Sequence, residues 1–166
     1  MYNEHEQAVM TWIHLVSAAI WVGGSLFIGA VLTPILKKMS MSLEERIQMM
    51  IKVGRQFNKI AVPSLIILIA TGIYNSSFVL SNPDLLFSTS YGIFLFIKII
   101  LVIALIIAFV AHLRIIRKEI EDKIMSKEMT EIQIRKLRKK MIILGEIIVI
   151  ISVAILFFAA LLDAGV

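Results

Sequence analysis

The sequence predicts an all-α integral membrane protein, a four-helix antiparallel bundle with both termini outside the cytoplasm. Three observations carry this prediction. The 166 residues are 59% hydrophobic and only 17% charged, whereas a soluble domain has about 45–50% apolar and about 25% charged residues. The apolar residues form four runs, each long enough to cross a hydrocarbon core of about 30 Å as a helix. Sixteen of the 17 Lys and Arg residues lie in two connections between these runs.

The four runs define the predicted spans, and the whole chain, 1–166, is expected to form a single transmembrane domain. The spans cover about residues 10–36, 60–80, 91–113 and 141–162. The first run is expected to be a true span rather than a cleaved signal peptide. Its N-terminal flank is acidic rather than basic, and the run is too long and ends at Lys37 and Lys38.

Helix start signals indicate that the helices are longer than the membrane is thick. The sequence from Ser42 to Glu45 reads as a capping box that opens a helix running into the second span. The sequence from Thr130 to Gln133 is a second capping box, before the fourth span. We also expect the third span to continue past Arg114 into the cytoplasm.

The orientation follows from the distribution of basic residues. Residues 37–59 hold six of them and residues 114–140 hold ten, whereas both tails and the 81–90 connection hold none. Because cytoplasmic loops are enriched in Lys and Arg, both basic connections are predicted to be cytoplasmic. The net charge of +5 therefore reflects topology and not a nucleic-acid surface. The absence of cysteine excludes disulfides and thiolate metal sites.

Four ionisable residues fall inside the predicted spans, where such side chains usually have a functional role. By depth, His14 and Lys98 share the outer third of the bundle. His112 and Glu146 share the inner end with Arg114, and we interpret these three as a polar cluster or ion pair. The two histidines lie almost a full membrane apart and cannot be the two axial ligands of one haem.

The first span carries a stripe of small and polar residues at helical spacing. Its members are His14, Ser17, Trp21, Ser25 and Gly29. Such a stripe allows close helix packing, and it equally allows a flat ligand to approach. The candidate cofactor-binding residues are therefore His14, Ser17, Trp21 and Lys98.

Besides haem, copper is a second candidate ligand of the histidines, because Cu(I) prefers thioether and imidazole donors. No methionine occupies a midplane position in the spans. A copper site near the outer surface, formed by His5, Met10 and His14, remains open.

Five stretches carry a resemblance to a known membrane-protein family. They are HLVSAAIWVGG from His14, RQFNKIAV from Arg55, ATGIYN from Ala70, TSYG from Thr89 and KIILV from Lys98. In this order they resemble the copper-resistance D (CopD) superfamily in its four-span form, over nearly the whole chain. The resemblance implies a four-span bundle and a role in copper handling or uptake.

The chain is more distantly similar to the membrane-bound protoporphyrinogen oxidases. Their first-span histidine, the tryptophan seven residues later and their third-span lysine correspond to His14, Trp21 and Lys98. The resemblance implies that the histidine and lysine are essential and that a b-type haem is bound. An arginine of that family falls near Ala30 here, so the chain departs from the oxidase pattern at this position.

Two main hypotheses follow, and the sequence leaves enzymatic activity open. The first is a copper-handling protein of the plasma membrane that receives the metal at its outer face from a copper-donor protein. The alternative is a haem b protein for electron transfer or haem-linked oxidation, with His14 as axial ligand and a redox partner outside. A third hypothesis is a structural subunit of a larger membrane complex. The lipid bilayer is the expected partner in each case, and homo-oligomerisation stays open.

Overall fold

The computed structural model describes residues 4–165, and within this range the regular structure is helical without any strand. Four segments are long and apolar enough to cross a membrane: Glu4–Lys38, Leu43–Asn75, Ser90–Met125 and Glu131–Asp163. The protein is therefore a multi-pass membrane protein, and the predicted all-α class is confirmed. The orientation of the termini stays a prediction.

The first long segment is a helix interrupted by two wider turns. It consists of α1 (Glu4–Ala18), π1 (Ala19–Gly23), α2 (Gly24–Phe27), π2 (Ile28–Leu32) and α3 (Thr33–Lys38). Two side-chain hydroxyl groups donate hydrogen bonds to backbone carbonyls in these wider turns. The Ser25 hydroxyl donates to the Trp21 carbonyl at 2.7 Å, and the Thr33 hydroxyl donates to the Ile28 carbonyl at 2.8 Å. Such π-turns are frequent at functional sites, and π1 contains Trp21.

Both predicted capping boxes are confirmed. Helix α4 (Leu43–Asn75) begins after Ser42, whose hydroxyl accepts from the Glu45 amide while the Glu45 carboxylate accepts from the Ser42 amide. Helix α9 (Glu131–Asp163) begins after Thr130, which exchanges the same two bonds with Gln133. These reciprocal bonds satisfy backbone donors that the first turn of a helix leaves without partners.

Two short helices connect the second and third long segments. These are α5 (Ser77–Leu80) and α6 (Pro83–Ser88), and α7 (Ser90–Ile115) follows after Thr89. The Thr89 hydroxyl accepts from the Gly92 amide at 3.0 Å. A Cβ atom at Gly92 would collide with the Leu85 carbonyl oxygen and would lie 2.6 Å from the Leu86 Cα. Only glycine therefore allows α6 to fold this tightly against α7.

The third segment does not run on as one straight helix past Arg114. Helix α7 ends at Ile115, and α8 (Lys118–Met125) begins after the extended residue Arg117. The Glu121 side chain of α8 is only 5% exposed, with an oxygen 2.6 Å from the Arg55 guanidinium and another 3.8 Å from the Lys52 ammonium. These contacts hold α8 against α4.

The buried apolar residues form two clusters. The central cluster includes Trp21, Val22, Ala61, Leu65, Leu105, Ala108, Phe109 and Ile148. The second cluster lies at the end that carries the basic residues and comprises Ile47, Ile51, Ile116, Ile124, Ile134 and Met141. It joins α4, α8 and α9 where they extend beyond the central cluster. Large apolar side chains elsewhere on the spans, such as Ile107 and Ile150, are about two-thirds exposed, as suits contact with lipid.

Candidate functional site

Two cavities lie on either side of Trp21. The smaller one, of about 310 Å³, is lined by His14 and Lys98, and we call it the His14 cavity. The larger one, of about 440 Å³, is lined by His112 and Glu146, and we call it the His112 cavity. Trp21 lines both cavities. Each in-span histidine therefore shares a cavity with the ionisable residue that the sequence places at the same depth.

The orientation of the His14 ring is fixed by Thr71. The Nδ1 atom of His14 lies 2.7 Å from the Thr71 hydroxyl oxygen, and that hydroxyl lies 2.7 Å from the Ile67 carbonyl oxygen. A hydroxyl has a single proton, and a carbonyl can only accept. The Thr71 proton therefore points to Ile67, and Nδ1 of His14 must be the donor of the first bond. In the neutral ring this assignment leaves Nε2 with a free lone pair.

The surroundings of His14 leave room for a ligand. Gly72 lies beside the ring, and a Cβ atom there would be 3.6 Å from the His14 Cε1. Lys98 lines the same cavity from α7 and forms no ion pair with any residue in the described range. The remaining wall is mostly apolar, so the imidazole and the ammonium are its two main polar groups.

Trp21 forms a partition between the cavities and is held in place from two sides. Its indole nitrogen donates to the Ser152 hydroxyl at 3.0 Å, which ties π1 to α9. Its ring meets Phe109 of α7 edge-on, with 4.9 Å between the ring centroids. Only 2% of Trp21 is exposed.

The remaining predicted residues of the first segment separate into two groups. Met10 precedes His14 by four residues, so both lie on one face of α1. His5 precedes His14 by nine residues, about two and a half helical turns, and therefore points to the opposite side. Met10, and not His5, is therefore on the face of α1 that carries His14, although neither residue lines the His14 cavity. Ser17 is buried but lines neither cavity.

The His112 cavity is lined by an imidazole of which one nitrogen has no hydrogen-bond partner in the described part of the chain. Nδ1 of His112 is buried and has no hydrogen-bond partner within residues 4–165. No ion pair joins His112 to Glu146, although both line the cavity. Arg114 is exposed and is not part of the lining. The structure therefore brings two of the three residues of the predicted inner cluster to one cavity, without an ion pair.

Sequence reasoning passed over three residues that the structure places at these cavities. Thr71 orients His14, Ser152 anchors Trp21, and Met141 lines the His112 cavity. The two hydroxyl residues had a visible signal, because each is a polar residue in an apolar run. Met141 had none, because it reads as an ordinary core residue.

The described residues contain no group of three or more His, Cys, Asp and Glu side chains that could hold a metal ion. A metal site built from three or more of these side chains is therefore not formed in that part of the chain. What the cavities offer is single imidazoles, with thioethers in the His112 cavity. This donor set suits a soft ion of low coordination number such as Cu(I).

Four apolar segments and an imidazole in each of two cavities define a multi-pass membrane protein with candidate ligand sites. Residues 51–162 match the family model described as copper resistance protein D. The chain belongs to this family, which confirms the resemblance seen in the sequence. It is also similar to the copper transport protein CutJ of Bacillus subtilis (strain 168), with 29% identity over 111 residues. These residues make up 67% of this chain and 19% of that relative, so the chain spans about a fifth of the relative's length. No solved structure matches the chain significantly.

Proposed function

We propose that this protein binds Cu(I) in the His14 cavity and hands it on across the membrane. The observation that carries the proposal is the hydrogen bond between His14 and Thr71. It holds the ring in one orientation and leaves Nε2 as the available donor atom. Metal-bound histidines in proteins typically donate their second ring N–H to a neighbouring oxygen in this way. Membership of the copper resistance protein D family supports copper as the metal.

Met10 is the second proposed ligand. It does not line the His14 cavity, but it lies one helical turn before His14 on the same face of α1, so we propose it as a ligand at the edge of the cavity. Its thioether is a soft donor. Cu(I) accepts such mixed nitrogen and sulfur coordination, whereas a hard divalent ion would need oxygen ligands. We leave His5 out of the ligand set, because α1 places it on the opposite side of the helix.

The proposed direction of approach follows from the charge distribution. The basic connections are expected on the cytoplasmic side, which places the His14 cavity near the outer face. A copper-donor protein outside the cell would then deliver the metal to Met10 and His14. The similarity to a protein named as a copper transport protein supports transport rather than storage.

Haem b is the alternative, and one observation favours it. Lys98 lines the same cavity as His14, so two side chains that carry nitrogen belong to its wall. In this alternative His14 would bind the haem iron, and Lys98 would supply a second nitrogen in the same cavity. The cavity of about 310 Å³ is at the lower end of the roughly 300–1,000 Å³ typical of small-molecule sites, which fits a metal ion more readily.

The test is copper binding by the detergent-purified protein under reducing conditions, measured by competition with a chromophoric Cu(I) chelator. We expect the His14→Ala variant to lose high-affinity binding at this cavity, because it removes the nitrogen ligand. The matched control is His5→Ala, which removes an imidazole from the other side of α1 and should leave binding unchanged.

The same preparation separates copper from haem. An absorption spectrum with a Soret band that disappears in His14→Ala would replace copper by haem as the ligand of this cavity. Equal numbers of bound copper ions and equal copper affinities in His14→Ala and the parent protein, without a Soret band in either, would exclude both ligands at His14.

A further inference from the structure

We propose that the His112 cavity is a second Cu(I) site, formed by Nδ1 of His112 and the thioether sulfurs of Met50 and Met141. The inference rests on the proposed function in that copper is taken as the transported ion. It concerns a different cavity and a different set of ligands.

The first argument is the state of the His112 imidazole. Its Nδ1 is buried and has no hydrogen-bond partner in the described part of the chain. Leaving a buried polar atom without a partner costs about 1–3 kcal/mol, so such atoms usually have a ligand or another function. A metal ion that binds the Nδ1 lone pair would remove this cost.

The second argument is the position of two thioethers around the same space. Met50 of α4 and Met141 of α9 both line the cavity that His112 lines from α7. The three side chains thus come from three different helices. Met141 is 4% exposed, and Met50 packs against the same apolar cluster. One imidazole and two thioethers form a donor set that selects Cu(I) over hard divalent ions.

The third argument is the charge of the cavity wall. Besides His112, its ionisable residues are Lys37 of α3 and Glu146 of α9. Their formal charges cancel, so a monovalent cation in this cavity meets a wall that has no net positive charge. The His14 cavity differs, because Lys98 lines it without an acidic partner, and no methionine belongs to its wall. We therefore expect the His112 cavity to hold Cu(I) more tightly than the His14 cavity.

The experiment compares two double variants of the detergent-purified full chain. Met50→Leu/Met141→Leu removes both proposed sulfur ligands at nearly constant volume, and such swaps usually cost less than about 1.5 kcal/mol of stability. The matched control, Met49→Leu/Met125→Leu, removes two exposed methionines. The readouts are the number of Cu(I) ions bound per chain and the sulfur scattering in copper X-ray absorption spectra.

We expect two Cu(I) ions per chain in the parent and the control, and one in Met50→Leu/Met141→Leu with reduced sulfur scattering. Replacing a residue that supports a metal ligand typically weakens metal binding by roughly 10–100-fold. Loss of the ligands themselves should weaken this site by more. His112→Gln should remove the same ion, which gives an independent result if the double variant folds poorly.

Unchanged stoichiometry and unchanged sulfur scattering in both Met50→Leu/Met141→Leu and His112→Gln would overturn the proposal. The outcomes also separate it from the proposed function. One ion that depends on Met141 and His112 but survives His14→Ala supports the second site and rejects the first. One ion that depends on His14 but survives both Met50→Leu/Met141→Leu and His112→Gln supports the first site and rejects the second.

Discussion

Replacing Thr71 by valine tests whether the orientation of His14 matters for copper binding. Valine has nearly the shape of threonine but lacks the hydroxyl that accepts from Nδ1 of His14 at 2.7 Å. The Ile67 carbonyl that receives the Thr71 proton lies within α4, four residues earlier, so it can still accept the backbone amide of residue 71. The substitution therefore acts mainly on the histidine.

The expected size of the effect follows from this single bond. Nδ1 loses its partner in a half-buried position, which costs about 1–3 kcal/mol when nothing replaces it. Removing the hydrogen-bond partner of a metal-bound histidine typically weakens metal binding by about 10–100-fold. The two estimates agree, since a factor of ten corresponds to about 1.4 kcal/mol. We expect Thr71→Val to weaken Cu(I) binding at the His14 cavity by about 30-fold, in the middle of this range.

The assay is the chelator competition used for His14→Ala, carried out on Thr71→Val and on Thr71→Ser. Serine keeps the hydroxyl, so Thr71→Ser should bind copper within a few-fold of the parent. If Thr71→Val binds copper as tightly as Thr71→Ser, the hydrogen bond does not prepare His14 for a metal, and the reasoning that carries the proposed function is refuted.

Two further predictions concern Lys98 and Gly92. A cavity of 310 Å³ is about 8 Å across, and two unit charges at that distance repel by about 2 kcal/mol at an effective dielectric of about 20. Lys98→Leu should therefore raise the copper affinity of the His14 cavity roughly 30-fold in the same competition assay, while Lys98→Arg should not. A loss of copper affinity in Lys98→Leu would instead make the lysine a copper ligand and contradict the repulsion. Gly92→Ala should lower stability by about 3 kcal/mol, the upper end of overpacking costs, because its Cβ meets the rigid backbone at Leu85. Thermal unfolding in detergent measures this loss against Gly23→Ala, where a Cβ meets nothing within 4 Å, and equal melting temperatures would contradict the proposed close approach of α6 and α7.

The features that could be predicted well from the sequence are those that depend only on residues close together in the chain. The spans are visible because lipid requires about 20 consecutive apolar residues in each helix. The capping boxes at Ser42 and Thr130 are visible because each needs only two residues three positions apart. Depth along a helix is equally local, so the sequence could assign His14 and Lys98 to one level and His112 and Glu146 to another.

The features that sequence did not predict depend on how one helix is rotated against another. Nothing within α4 shows that Thr71 faces His14, or that Met50 shares a cavity with Met141 of α9. The wider turns around Trp21 change the direction of the residues that follow. The small-residue stripe of the first segment is therefore divided, with His14 at one cavity and Ser25 and Gly29 at the other.

The unequal charges on the two sides of Trp21 give the proposed copper path a direction. On one side, a cation shares the His14 cavity with Lys98, which repels it. On the other side, Glu146 offsets the cationic Lys37, and two thioethers join the imidazole. A monovalent copper ion should therefore be more stable in the His112 cavity than in the His14 cavity. In the orientation that the sequence predicts, with the basic connections on the cytoplasmic side, this difference would favour movement of copper inward past Trp21.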